Sequence, residues 1–449
     1  MSRKPGNKEI VNMEYHLKSP AIQYGAAETS SPQVRQVVED ALRGIRSRGD
    51  AAVRDLSVKF DKWDPASFRL TPEQIEAAIA QLPAQTLADI RQAQANVQRF
   101  AQLQRASITD FESEVQPGIV LGQKNIPINS VGAYIPGGRY PLLASAHMII
   151  TTAKVAGVKR VIACTPPNRG EIPYASVAAA HYAGADEIYL LGGVQAVGAM
   201  AIGTETMQRV DMLAGPGNAY VAEAKRQLFG EVGIDLFAGP TEVLIIADES
   251  ADPFIVATDL ISQAEHGPDS PAVLVTTSRA LGEVVLKEMD AQMSNLVTRE
   301  VAQAAWRDFG EIIITDTIEE AFAVSDRYGS EHVQVLTRTP RYALEKLTTY
   351  GALFMGENTC VSFGDKVIGT NHVLPTRLAS RYTGGLWVGK FLKTVTYQEI
   401  ASLEASAAMG ELCARASRAE NFEGHARSGD VRVARAKGTR PDWAVKTGA

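Results

Sequence analysis

The sequence predicts an α/β fold whose sheets are parallel and covered on both faces by helices. From Ile128 onward, short β-branched runs alternate with Ala-rich helical stretches. Parallel neighbours need a crossover between them, and a helix is the usual crossover. Before that point the chain is helical in pattern, with apolar residues recurring at three and four from about Gln33 to Ser107. Thr71-Pro72 opens one of these helices as N-cap and first-turn proline. Strands are expected at 130–135, 159–164, 187–192, 243–247, 272–277, 311–315 and 332–337. The stretch between Pro136 and Pro240 holds several strand–helix units and reads as a domain inserted between the halves of another. Beyond Val388 the pattern is helical again, and the basic tail from Arg427 to Ala449 is expected to be loosely ordered. No repeat of fixed period and no low-complexity block interrupts this plan.

At 449 residues the chain is too long for one small core, so two or three domains are expected. Its 45% hydrophobic and 21% charged residues are those of an ordinary globular protein. The net charge of −6 argues against nucleic acid or a membrane surface as partner, since both require a basic face. No apolar run reaches the ~18 residues of a membrane span. Met1 to Pro20 is polar and mildly basic without an apolar stretch, so no signal peptide is expected. Three widely spaced cysteines, Cys164, Cys360 and Cys413, fit a reducing cytoplasm.

The strongest chemical signal is Ser262-Gln263-Ala264-Glu265-His266-Gly267-Pro268. Gln263 and His266 stand three apart and share one helical face, and Gly267-Pro268 ends the helix. An amide oxygen and an imidazole make half of a cation site, which a carboxylate and another imidazole would complete. Asp365 and His372 are candidates by proximity in sequence. Three glycine turns, Pro136-Gly137-Gly138, Gly192-Gly193 and Gly215-Pro216-Gly217-Asn218, follow strands. None is G-x-G-x-x-G, but glycine there lets backbone amides approach a phosphate, and together they suggest a nucleotide site. Glu331 and His332 would make an acid–base pair if both reach one site from the turn before their strand. His16, His147 and His181 read as solvated or structural, and Cys164 as a small buried hydrophobe. Cys360 matches no thiol-catalysis spacing, and Glu265 and Asp269 read as solvated or supporting groups.

The chain resembles the histidinol dehydrogenase family from about residue 30 to 430. The resemblance is carried by Val131-Gly132-Ala133-Tyr134-Ile135-Pro136-Gly137-Gly138, Leu191-Gly192-Gly193-Val194-Gln195, Gly215-Pro216-Gly217-Asn218 and Ala238-Gly239-Pro240-Thr241-Glu242-Val243. Ser262 through Asp269, Ser330-Glu331-His332 and Asn371-His372-Val373-Leu374-Pro375-Thr376 follow in the same order. It implies an NAD-dependent, zinc-containing dehydrogenase acting on CH–OH groups in two successive hydride transfers, alcohol to aldehyde to carboxylate. It implies two incomplete Rossmann-like domains with parallel sheets and small helical terminal segments. On this reading 1–30 is an N-terminal segment, and 31–134 with 241–387 form a first α/β domain carrying metal and catalytic residues. Residues 135–240 are an inserted domain with the NAD contacts, and 388–449 a helical segment exchanged in a cytoplasmic homodimer with shared active sites. One zinc per subunit would be held by Gln263, His266, Asp365 and His425, with His425 reaching in from the partner subunit. NAD would meet Tyr134, Gln195 and Asn218. A small-molecule substrate would meet Thr241, His332, Glu420 and the metal ligands. His332 would be the base on the alcohol, and Glu331 would activate the water that hydrates the aldehyde.

The chain departs from the biosynthetic pattern beside Asp365. Where that pattern has an acidic residue and a tyrosine, this chain has Val361 and Lys366. The local balance moves by about two charge units, each worth roughly 2–3 kcal/mol at ~6 Å and an effective dielectric near ~20 before screening. Arg139-Tyr140 and Arg381-Tyr382-Thr383-Gly384-Gly385 depart in the same basic direction and resemble the sulfopropanediol dehydrogenases, relatives that oxidise a dihydroxypropane sulfonate. These residues favour an anionic alcohol. Glu420, at the position that meets the histidinol amine, favours the alternative, oxidation of L-histidinol to L-histidine. A catalytically silent binding homologue is the third reading, and the full set of expected ligands and acid–base residues weighs against it.

Overall fold

Each of the seven strand runs expected from the sequence is a strand, and they fall into two parallel sheets. The computed structural model describes residues 15–22, 31–137, 141–236 and 239–444, and the chain divides into two units. The first unit, Met1–Arg105 with Ile128–Phe391, holds both parallel sheets.

One sheet has five strands in the order Glu187–Leu190, Arg160–Thr165, Ser130–Tyr134, Met212–Ala214, Gly233–Ile234, all parallel. The other has six, in the order Tyr15–Lys18, Gly310–Ile314, Ala272–Thr276, Val243–Ala247, His332–Leu336, Ala352–Met355, with only the edge strand Tyr15–Lys18 antiparallel. Counted from Ser130–Tyr134 in one and Val243–Ala247 in the other, the parallel strands run 3-2-1-4-5 in both. That is the doubly wound order without its sixth strand, so the expected pair of incomplete Rossmann-like sheets is present.

Burial explains the strand composition. Val243–Ala247 (VLIIA) and Ala272–Thr276 (AVLVT) are buried at every position, as strands covered on both faces must be. The helix Pro253–Ala264 starts at Asp252, whose side chain accepts from Phe254 N–H at 2.8 Å, with Pro253 in its first turn. It lays Val256, Ala257, Leu260, Ile261 and Ala264 into the same apolar cluster as Val243, Ile245 and Leu274.

Residues 31–105 and 128–134 fall in the same unit as 241–387. The helices Pro32–Arg48 and Asp50–Asp61 pack Val38, Leu42, Ile45 and Val53 into one core with Val194, Val197 and Met200. Gly198 admits them: a Cβ there would lie 2.6 Å from the Ile45 side chain. Ser130–Tyr134 is the middle strand of the five-stranded sheet, so that half begins before residue 135.

The second unit, Ala106–Pro127 with Leu392–Ala449, is not purely helical. Phe111–Gln116, Ile119–Pro127 and Leu392–Ile400 form an antiparallel three-stranded sheet. It is followed by a helix pair, Leu403–Ala419 and Glu423–Ala436. Gly410 and Gly429 let the two helices touch, since a Cβ on Gly429 would sit 2.3 Å from the Gly410 carbonyl oxygen. The tail expected to be loose is helical from Arg427 to Ala436. Among the described residues no helix is long and apolar enough to cross a membrane.

Candidate active site

The six-stranded half collects its polar side chains at the N-terminal ends of its parallel strands. His332 and Val243 are register partners at the start of adjacent strands, so Glu331 and Glu242 lie side by side just before them. Thr241 is half-buried next to Glu242. Helix Pro253–Ala264 runs back against the strands and delivers Gln263 to the same end. His266 lies just past the helix, held by a turn in which its N–H donates to the Gln263 carbonyl at 3.2 Å. Asp365 arrives on the short helix Val361–Lys366 that follows the strand Ala352–Met355.

Asp365 is the centre of this group. It is buried, with Oδ2 3.8 Å from His266 Nε2 and 3.5 Å from Gln263 Nε2, and Oδ1 3.4 Å from His332 Nε2. Burial opposes its charge, but His332, His372 and His266 outweigh burial and hold the carboxyl well below its usual range. Gln263 is 1% exposed, and its Oε1 is a buried acceptor without a partner, as is His332 Nε2. Buried polar atoms normally find partners, so an amide oxygen and an imidazole nitrogen left unpaired around a carboxylate fit a bound cation. Among the described residues no group of three His, Cys, Asp or Glu side chains is close enough to hold an ion unaided. Gln263, His266 and Asp365 are an amide, an imidazole and a carboxylate, and they can supply three ligands. His425 and Glu420 lie in the second unit, His425 exposed on Glu423–Ala436 and Glu420 at the end of Leu403–Ala419.

Glu331 and His332 both turn inward because the pair straddles the strand's first residue, as the sequence reading required. His332 Nδ1 lies 3.1 Å from the Glu242 carbonyl oxygen. A carbonyl only accepts, so Nδ1 carries the proton and Nε2 is the basic atom facing Asp365. Burial lowers the imidazole's proton affinity, but Glu331 and Asp365 outweigh it and lift it to about 9. Burial pushes the Glu331 carboxyl up to about 8 against the pull of His332.

Glu242 organises this corner, a role not foreseen from sequence although it stands in the Gly239–Val243 block. Its carboxylate accepts from Glu331 N–H at 3.3 Å and Arg377 N–H at 2.7 Å. Its own N–H donates to Glu331 Oε2 at 3.1 Å.

The five-stranded half presents its candidates at the C-terminal ends of its strands. Tyr134 ends its strand, and its hydroxyl accepts from Gly193 N–H at 3.0 Å. Gln195, in the first turn of Gly193–Ile202, is 1% exposed and donates to Asp61 Oδ2 at 2.8 Å, leaving its Oε1 without a partner. Asp61 carried no sequence signal. Asn218 caps Ala219–Leu228, accepting from the N–H groups of Tyr220 and Val221 at 3.0 and 3.1 Å. Gly215 must be glycine: its φ is 129°, and a Cβ would lie 2.2 Å from the Tyr134 carbonyl oxygen. A cleft of about 540 Å³ lined by both Asn218 and His266 joins the two halves.

The remaining expectations resolve simply. His372 is not placed as a ligand: Nδ1 lies 3.1 Å from the Asp365 carbonyl and Nε2 3.1 Å from Ser145 Oγ, and burial lowers it to about 4. His147 is a buried core histidine at 3.0 Å from Gln94, His16 pairs with Glu311, and Cys164 is fully buried. Val361 is buried among apolar side chains, whereas Lys366 is exposed and its charge reaches both His266 and His372. Arg381 turns away, donating to the Arg327 carbonyl at 3.3 Å, and Arg139-Tyr140 lie outside the described residues.

A family model described as histidinol dehydrogenase matches residues 25–433. The chain belongs to the histidinol dehydrogenase family. A histidinol dehydrogenase homolog of Shouchella clausii is 59% identical over 90% of this chain and 96% of its own. The sulfopropanediol 3-dehydrogenase of Ruegeria pomeroyi is 50% identical over 91% of this chain and 94% of its own. The crystal structure of histidinol dehydrogenase from Elizabethkingia anophelis superposes with a TM-score of 0.86 at 34% identity, covering 90% of this chain and 93% of that one. Membership in the histidinol dehydrogenase family accounts for the doubled α/β architecture and makes the protein an oxidoreductase.

Proposed function

We propose that the protein is a zinc-dependent, NAD-linked dehydrogenase that oxidises a small anionic primary alcohol through the aldehyde to the carboxylate, a dihydroxypropane sulfonate being the representative substrate. The observation that carries this reading is Asp365, whose Oδ2 lies 3.5 Å from Gln263 Nε2 and 3.8 Å from His266 Nε2 and whose Oδ1 lies 3.4 Å from His332 Nε2. Gln263, His266 and Asp365 would hold the zinc, with His425 of a second copy as the fourth ligand. When bound, zinc polarises the substrate oxygen and NAD accepts the hydride. His332 takes the hydroxyl proton at Nε2, its orientation set by Glu242. Glu331, raised toward neutrality, takes a proton from the water that adds to the aldehyde, readying the hydrate for the second hydride transfer. Tyr134, Gln195 and Asn218 would contact the dinucleotide.

Two observations support an anionic substrate. Lys366 places positive charge within reach of His266, and a relative named sulfopropanediol 3-dehydrogenase is 50% identical, against 40% and 42% for two relatives named histidinol dehydrogenase. Retention of Glu420 favours L-histidinol as the alternative. Homodimerisation is supported by the second unit, which exposes Phe111, Val115, Leu403 and Leu412 at 51% or more. Three unpaired cysteines support a reducing cytoplasm.

The direct test is NADH absorbance with zinc-loaded protein on histidinol, dihydroxypropane sulfonate and neutral diols. Preference for the sulfonate is expected; preference for histidinol overturns the anionic reading. Gln263→Leu should weaken zinc retention on dialysis by at least about tenfold while leaving the fold intact, read by metal analysis and circular dichroism. A base acts only after losing its proton. Turnover should therefore rise with pH as His332 loses its proton. A pH profile without such a rise removes His332 as the base.

A further inference from the structure

We propose that Arg377 is the residue that docks the anionic end of the substrate. This deepens the reading above and rests on it. The cleft of about 540 Å³ that contains His266 and Asn218 is also lined by Arg377, Arg226, Glu223 and Asp269. Two of these charges are engaged with each other. Glu223 grips Arg226 through both oxygens at 2.5 and 2.8 Å. Asp269 folds over its own turn, where a Cβ on Gly267 would meet its Oδ1 at 2.9 Å. The half-buried guanidinium of Arg377 has no hydrogen-bond or ion-pair partner among the described residues. A guanidinium forks two parallel donors onto a carboxylate or sulfonate, and a charge partly withdrawn from water gains most from such a partner.

The backbone fixes this side chain in place. Arg377 and Leu378 are consecutive non-glycine residues in the left-handed region, at φ 52° and 65°. Such conformations are disfavoured for residues with a side chain and persist only where surrounding contacts impose them. Those contacts are present: Arg377 N–H donates to the buried Glu242 carboxylate at 2.7 Å, and Thr376 Oγ1 accepts from Gly239 N–H at 2.5 Å. Gly239 leaves room for the stem, since a Cβ there would lie 2.7 Å from Arg377 Nε. Glu242 thus ties the Arg377 backbone to the Glu331 backbone and to the His332 ring. The dinucleotide's pyrophosphate is a second anion that could use the same fork, and the experiment separates the two.

Zinc-loaded wild type, Arg377→Gln and Arg377→Lys are compared on dihydroxypropane sulfonate, its carboxylate counterpart 3,4-dihydroxybutanoate, and neutral glycerol, with NADH affinity measured separately by fluorescence titration. Arg377→Gln should raise KM for both anions roughly 10–100-fold, leave glycerol kinetics and NADH affinity unchanged, and be partly rescued by Arg377→Lys. The assignment is overturned if Arg377→Gln handles the anions like wild type, if it loses glycerol equally, or if it weakens NADH, which would give the guanidinium to the pyrophosphate. If wild type itself prefers glycerol or histidinol to the anions, the underlying substrate reading fails, and the wild-type arm alone reveals it.

Discussion

Replacing His332 by asparagine should lower turnover by about 10²–10⁴-fold while zinc content and NADH affinity stay near wild type. The two sides of the ring have different duties. Nδ1–H donates to the Glu242 carbonyl at 3.1 Å, a bond that an asparagine amide can imitate, so the corner should keep its packing. Nε2, buried and without a hydrogen-bond partner, faces Asp365, and asparagine has no basic atom to replace it. Stopped-flow NADH formation alongside metal analysis separates lost proton transfer from lost binding. Near-normal turnover would remove His332 from the proton path.

The largest effect on stability is expected from Lys225→Met. Lys225 and Asp235 are 3% and 4% exposed and form an ion pair beneath the Gly215–Asn218 turn. Lys225 Nζ also donates to the Gly215 carbonyl at 3.0 Å, while Asp235 accepts from the N–H groups of Gly215 and Leu236, both at 2.7 Å. Removing the lysine leaves a buried carboxylate without its counter-charge, at a cost of about 3–5 kcal/mol. Asp235→Asn in the same chain takes away that stranded charge and should recover part of the loss. Urea denaturation of the single and double variants measures both. A single variant within about 1 kcal/mol of wild type would mean that the pair is dispensable. Because the pair braces the turn carrying Asn218, NADH affinity should fall in the single variant as well.

The buried strands were legible because full burial demands continuous apolar runs, and Val243–Ala247 matches its expected bounds at both ends. Met212–Ala214 and Gly233–Ile234 are too short to show a pattern, and Leu392–Ile400 is exposed along almost its whole length, so nothing apolar marks it. The helix Pro72–Ile79 was legible from its cap, and Thr71 with Gln74 closes a full capping box. Gln263 and His266 were legible because their spacing is local. Glu242, Asp61 and Arg377 were not, because what gives each its place is a contact across long stretches of chain: Glu242 with Arg377, Asp61 with Gln195. The partition between the halves also escaped the sequence, because an amphipathic helix announces that it has an apolar face without saying which sheet receives it.

The same 3-2-1-4-5 sheet occurs twice, but the two copies offer opposite ends to the cleft. Crossover helices run against their strands, so helix N-termini gather at one end of a parallel sheet and helix C-termini at the other. The peptide dipoles therefore give the five-stranded half a mouth of partial positive charge beside Gly193 and Ala219, suited to phosphates. They give the six-stranded half a mouth of partial negative charge at the end of Pro253–Ala264, suited to a metal ion. One architecture turned end for end would thus sort the proposed dinucleotide from the proposed metal ion before any side chain acts. It also sets a demand on any negatively charged substrate, which must approach the unfavourable mouth and needs a local positive group to hold it there.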